Sequence, residues 1–161
     1  MNNFAFIDGM NLHMTYENLT WRIDYRKLRI HLKDSYFVSR AYYFVGNLPT
    51  NASLYNALEK EGYKIITKPI SYLPNGGFKG NCDAELVLQA MADKAQYDSA
   101  VIITSDGDFA CLVTHLLSCG KLFRVIAPCF AGCSHLLKEA SGSRIDFLDN
   151  AKAKIEYKPI K

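Results

Sequence analysis

Two patterns of hydrophobic and polar positions alternate along this chain. Short apolar runs of strand length are separated by longer segments with helical periodicity. The runs predict strands over 4–8 (FAFID), 36–45, 63–69, 99–104 (SAVIIT) and 122–128, with a short last strand over 144–149. The periodic segments predict helices over 24–33, 51–62, 82–96, 108–120 and 134–141. Asp24 is placed to cap the first of these helices, and Gly62 and Gly120 to close the second and fourth. Residues 70–81 (ISYLPNGGFKGN) read as a Pro/Gly/Asn-rich loop.

Strands joined through helices of this length predict a parallel sheet with right-handed crossovers. The first and fourth strands are apolar on both alternations, as expected of central strands covered on both faces. The expected fold class is therefore α/β, a three-layer sandwich with helices on both faces of the sheet. The expected organisation is a single domain over 1–150, followed by a basic, weakly structured tail over 151–161.

Composition narrows the picture without changing it. The chain has 161 residues, 49% of them apolar and 22% charged, which suits one domain with a full core. No apolar run approaches the roughly 18 to 20 residues of a membrane span. The chain opens on strand-like sequence rather than a signal peptide, so it reads as soluble and cytoplasmic. A net charge of +3 permits a polyanionic partner but does not demand one. Five cysteines, an odd number and without zinc-site spacing, read as reduced thiols. The four histidines are scattered and have no obvious acidic or cysteine neighbour.

Chemistry enters with the acids. Asp8 directly follows the first strand, and Asp106 and Asp108 follow the fourth. Sites in open α/β sheets form beyond the carboxyl ends of the strands, where strand order reverses. If these two strands are neighbours there, three carboxylates share one crevice. Asp83 joins them by a helical argument. Glu85, Gln89, Asp93 and Gln96 fall on one face of the 82–96 helix, expected to meet solvent. Asp83 lies off that face, aligned with Leu86, Val87, Ala90 and Met91. Three of the four acids have a plainer reading: Asp108 and Asp83 as helix-start residues, Asp8-Gly9 as a turn.

Four clustered carboxylates repel one another, and some would be driven to protonate. A divalent cation removes that cost, and an all-oxygen donor set selects Mg²⁺ or Mn²⁺ over zinc. Such an ion neutralises phosphate charge and activates water, which points to a phosphodiester substrate.

FIDGMNL (6–12), KGNCDAELVLQAM (79–91) and ITSDGDFACLVTHLLSCGK (103–121) together resemble the NYN domain family, in its LabA-like branch, within the PIN-like nucleases. The resemblance extends over about 4–149, with the three motifs in order. It implies a Rossmann-like PIN fold with a mostly parallel sheet of strand order 3-2-1-4-5, and metal-dependent ribonuclease activity. Carried over by position, Asp8, Asp83, Asp106 and Asp108 become the catalytic and metal-binding acids. Asn11, Lys79 and Ser105 become substrate-binding residues. Many members have Asp where this chain has Gln89.

The leading expectation is an Mg²⁺- or Mn²⁺-dependent endoribonuclease that hydrolyses a phosphodiester with metal-activated water. RNA is the expected partner, a membrane is not, and a homodimer is left open. Tyr42, Tyr43, Tyr72 and Phe78 are candidate stacking residues, with Tyr42 and Tyr43 also readable as core. The alternative is a catalytically weak RNA-binding or regulatory module. A Toprim-type domain would want Glu where Asp8 stands. A receiver domain would need a lone aspartate and a late lysine. No Walker or G-x-G-x-x-G motif supports a nucleotide cofactor.

Overall fold

A computed structural model describes residues 1–18, 21–47, 49–69, 71–72 and 78–159, with side chains except at 14–18, 49, 71–72 and 78–79. The central sheet has six parallel strands: β1 (Asn3–Asp8), β2 (Val38–Gly46), β3 (Tyr63–Lys68), β6 (Ala100–Ile103), β7 (Leu122–Ala127) and β8 (Ile145–Phe147). Their spatial order is β3-β2-β1-β6-β7-β8. The expected order is present and is extended by one edge strand, β8. Two further strands, β4 (Ser71–Tyr72) and β5 (Phe78–Lys79), pair antiparallel with each other inside the expected loop.

β1 is buried along its whole length, so its alternate residues feed two separate cores. Phe4 and Phe6 face α4 (Asp83–Ala92), α5 (Ala110–Ser118) and α6 (His135–Ser141). Ala5 and Ile7 face α1 (Gly9–Asn18), α2 (Tyr25–Tyr36), α3 (Ala52–Lys60) and α7 (Lys152–Ile155). This gives the three layers. Each fully buried aliphatic or aromatic side chain contributes roughly 1.5 to 3 kcal/mol to holding the central strands rigid.

The capping expectation at Asp24 holds, since its carboxylate accepts from Lys27 N at 3.1 Å. α2 nevertheless runs three residues beyond its expected end. Tyr36 anchors the extra turn by donating to Asp146, and Phe37 closes it in the left-handed region at φ 56°.

Three expectations need correction. α1 was not expected, because its sequence carries no apolar stripe. It begins where the Asp8 carboxylate accepts from Asn11 N. Gly9 permits that start, because a Cβ there would overlap the Tyr43 ring and the Phe44 carbonyl. The expected solvent face over 82–96 is only partly one: Gln96 is exposed and Glu85 and Gln89 are half-buried, but Asp93 is enclosed. Asp93 is only 6% exposed and accepts from Tyr42 Oη, Gln89 Nε2 and Gln96 Nε2, whereas Leu88 points outward at 70% exposure. Residues 152–157 are not a loose tail either. Ile155 is fully buried, and Tyr157 N donates to the Arg22 carbonyl at 2.8 Å. Among the described residues no helix is long and apolar enough to cross a membrane.

Candidate active site

Strand order reverses between β1 and β6, the pair that the acids follow. Ile7 lies opposite Ile103, so the next residues, Asp8 and Thr104, meet at the carboxyl edge of the sheet. Thr104 Oγ1 donates to Asp8 Oδ2 at 3.0 Å and accepts from Asp106 N at 3.1 Å. One buried hydroxyl therefore ties the first acid to the backbone that carries the third. Asp106 in turn accepts from Asp108 N at 3.0 Å and starts the 3₁₀ turn Gly107–Phe109. The cap of that turn is Asp106, not Asp108.

Asp83 arrives from the other side, as the first residue of α4. Asn81 holds it twice: Oδ1 accepts from Asp83 N at 2.7 Å, and Nδ2 donates to Asp83 Oδ2 at 2.6 Å. One carboxylate oxygen from each of Asp83, Asp106 and Asp108 lies within 4.8 Å of the others. Asp8 is not part of this triad, but the charges of Asp83 and Asp106 act on its carboxyl.

The electrostatics follow from burial and like charge. Burial pushes the Asp8 carboxyl up to about 6, the charges of Asp83 and Asp106 push the same way, and hydrogen bonds from Asn11 and Thr104 oppose them. Asp83 is also raised, chiefly by burial and then by Asp106 and Asp108, against the Asn81 bond. The donor set is all oxygen, and among the described residues no ion pair compensates these charges, a combination that suits a hard divalent cation. Oxygens sharing Mg²⁺ at about 2.1 Å lie at most about 4.2 Å apart. A spread within 4.8 Å needs only a small side-chain adjustment, or an intervening water, to close on such an ion.

The remaining expected residues divide. Asn11 Oδ1 accepts from both Ser105 N and Ser105 Oγ at 2.8 Å, so these two are locked together beside the acids. Lys79 lies in β5, and its side chain falls outside the described residues, as do those of Tyr72 and Phe78. Tyr42 and Tyr43 are both buried, which removes them as stacking residues. Gln89, half-buried, donates to Asp93 at 2.9 Å.

Thr104 and Asn81 are supporting residues that sequence reasoning missed. The available signal was a hydroxyl or amide two residues before a candidate acid, a spacing that favours a side-chain turn onto the backbone. The far wall of the cleft was also missed. The cleft holds about 430 Å³ between Asn11, Ser105, Asp106 and Asp108 on one side and Ala131–Ser134 with Leu136 on the other. Ser134 N donates to the Ser105 carbonyl at 2.9 Å, which docks the segment before α6 onto the acidic turn.

The model of the NYN domain matches residues 4–147, nearly the whole chain. This chain belongs to the NYN family. The three motifs named from the sequence fall inside that span, and the acids they contribute converge at the β1/β6 edge of this NYN fold. The low amplitude and bright protein LabA of Synechococcus elongatus is 29% identical over 119 residues, covering 65% of this chain and 61% of that protein. The chain thus spans about three-fifths of the length of this curated relative. The crystal structure of a protein of unknown function from Vibrio parahaemolyticus superimposes with a TM-score of 0.77 at 19% identity, over 97% of this chain and 96% of that one. At that identity the likeness concerns the fold.

Proposed function

We propose that this NYN domain is a metal-dependent endoribonuclease whose ion is held by Asp83, Asp106 and Asp108, with Asp8 completing the site. The observation that carries the reading is the convergence of three carboxylates within 4.8 Å at the sheet's switch point, with the carboxyl of Asp8 raised by burial and by the charges of Asp83 and Asp106. Without a cation this cluster would repel a phosphodiester; with one it becomes a phosphate site. The ion, Mg²⁺ or Mn²⁺, would supply charge neutralisation on the phosphate and activation of water.

The protein's own residues do the positioning. Thr104 fixes the distance between Asp8 and the Asp106 backbone, and Asn81 holds Asp83 toward the other two acids. Asn11 and Ser105, bonded to each other on the cleft wall, would orient the substrate strand, with Lys79 as a further phosphate contact. The choice of RNA over DNA rests on the family. We assign the activity to one domain over 1–150; of the basic segment 151–161, the described residues pack back on it through Ile155. An RNA substrate and five cysteines outside any disulfide suit a reducing compartment, the cytoplasm.

The test is cleavage of labelled single-stranded RNA and DNA with Mg²⁺ or Mn²⁺, with EDTA, and with the Asp106→Asn variant. The expected result is RNA cleavage that needs the metal and is lost in the variant. Cleavage that survives both EDTA and Asp106→Asn would overturn the reading. Tight RNA binding without cleavage would favour the binding-module alternative.

A further inference from the structure

The segment that forms the far wall of the cleft carries exposed groups that the acid cluster does not use. Phe130 is 65% exposed, unusual for a ring held by two neighbours. It meets Phe147 nearly edge-on at a centroid distance of 5.3 Å, and Lys138 Nζ sits 4.0 Å from its ring centre. Leu136, also exposed, lines the acidic cleft with Ala131 and Gly132. The segment is firmly attached to the acidic turn. Ser134 N is bonded to the Ser105 carbonyl, and any Cβ at Gly107 would overlap Ser134 Oγ.

We infer that residues 130–138 form a base-binding arm for the substrate strand, with an unpaired nucleobase stacking on Phe130 and Lys138 serving the adjoining phosphate. The inference rests on the proposed nuclease reading for its choice of ligand. Continuity carries it. The acids stand at the end of β6 and Phe130 packs on β8, two strand positions along the same edge. That separation is roughly 10 Å, one to two nucleotides of an extended strand. The cleft lining on this side is small or apolar: Ala131, Gly132, Cys133 and Leu136. An aromatic ring with a cation held over it and most of its surface still exposed is the kind of platform that single-stranded nucleic acid uses, because every base has a π-face. A duplex, whose bases are already stacked and paired, offers no such face. The arm therefore commits the site to single-stranded RNA on the β8 side of the scissile phosphate.

The test uses a single-stranded RNA oligonucleotide carrying 2-aminopurine, free and annealed to its complement, titrated against the Asp106→Asn protein. The expected result is a fluorescence change on binding the single strand. Phe130→Ala and Phe130→Leu should lose that change and weaken single-strand binding by about tenfold, the scale of one base–aromatic stack. Phe130→Trp should retain both, and duplex binding should be indifferent to all three. Phe130→Leu binding like the parent, equal losses for single strand and duplex, or no RNA binding at all would overturn the arm. Wild-type protein that fails to cleave, while the Phe130 dependence stands, would instead overturn the nuclease reading and leave the arm intact.

Discussion

Asp8 is held where charge is disfavoured, and that has consequences for stability. Its carboxyl titrates near 6 in the folded protein against an ordinary value of 3.8. Below 3.8 it is protonated in both states and costs nothing. As pH rises from there the unfolded chain ionises first, so stability falls until the folded group also ionises near 6. Above that the loss is constant, at about 3 kcal/mol. In EDTA at about pH 7.5, Asp8→Asn should therefore raise the melting temperature by several degrees, and at about pH 3.5 it should change little. Thermal denaturation at the two pH values checks this. Thr104 is the other decisive residue. Thr104→Val leaves Asp8 Oδ2 without its donor and Asp106 N without its acceptor, a loss of roughly 1 to 3 kcal/mol. It should also raise the Asp8 carboxyl further, seen by NMR titration, and Thr104→Ser should restore both quantities. The acids were legible in the sequence because each follows an apolar strand or opens a helix. Thr104 and Asn81 were not, because a polar residue at a strand end or in a loop is ordinary until its partner is known.

At the level of elements, apolar runs reveal strands well and polar faces mislead. β1, β6 and β7 were legible because a strand covered on both faces has little choice of residues. α1 was not, because its start depends on the Asp8 cap and on the close approach of Gly9 to Tyr43, neither of which shows as periodicity. α4 shows the opposite failure. Gln89 and Asp93 look like a solvent face, yet the buried Asp93 carboxylate accepts from Tyr42 while Leu88 faces outward. Gln89 thus has a local partner in the Asp93 network, and its helix position is about 9 Å of rise beyond Asp83. The joint between the acidic turn and the segment before α6 gives an element-scale prediction. Gly107→Ala forces its Cβ onto Ser134 and should cost about 1 to 3 kcal/mol by overpacking. Adding Ser134→Gly should recover most of that loss. Urea denaturation of the two single variants and the double variant measures the coupling, and additive effects would show that the two residues do not share the space.

The whole molecule is a six-stranded α/β sandwich whose chemistry sits where its strand order turns back. The three-layer architecture was legible from alternation alone, and the 3-2-1-4-5 order from the family's motifs. The closing segment was not: only one residue of 152–157 is fully buried, so its pattern reads as a polar tail. Its main-chain bonds join it to the segment before α2, including Asp24 N to the Ile155 carbonyl at 2.8 Å. Ile155→Ala should accordingly cost about 2 to 5 kcal/mol in urea denaturation, the range for a fully buried aliphatic. An exposed tail would show almost no effect. The proposed role of the acids at the β1/β6 edge is to hold a divalent cation. It is tested most directly by titrating the protein with Mn²⁺ and following free ion by electron paramagnetic resonance, in parallel with Asp83→Asn and Asp106→Asn. The wild type should bind Mn²⁺ saturably, and each variant should bind it more than about tenfold more weakly. Equal Mn²⁺ binding by all three proteins, or none by the wild type, would contradict that role.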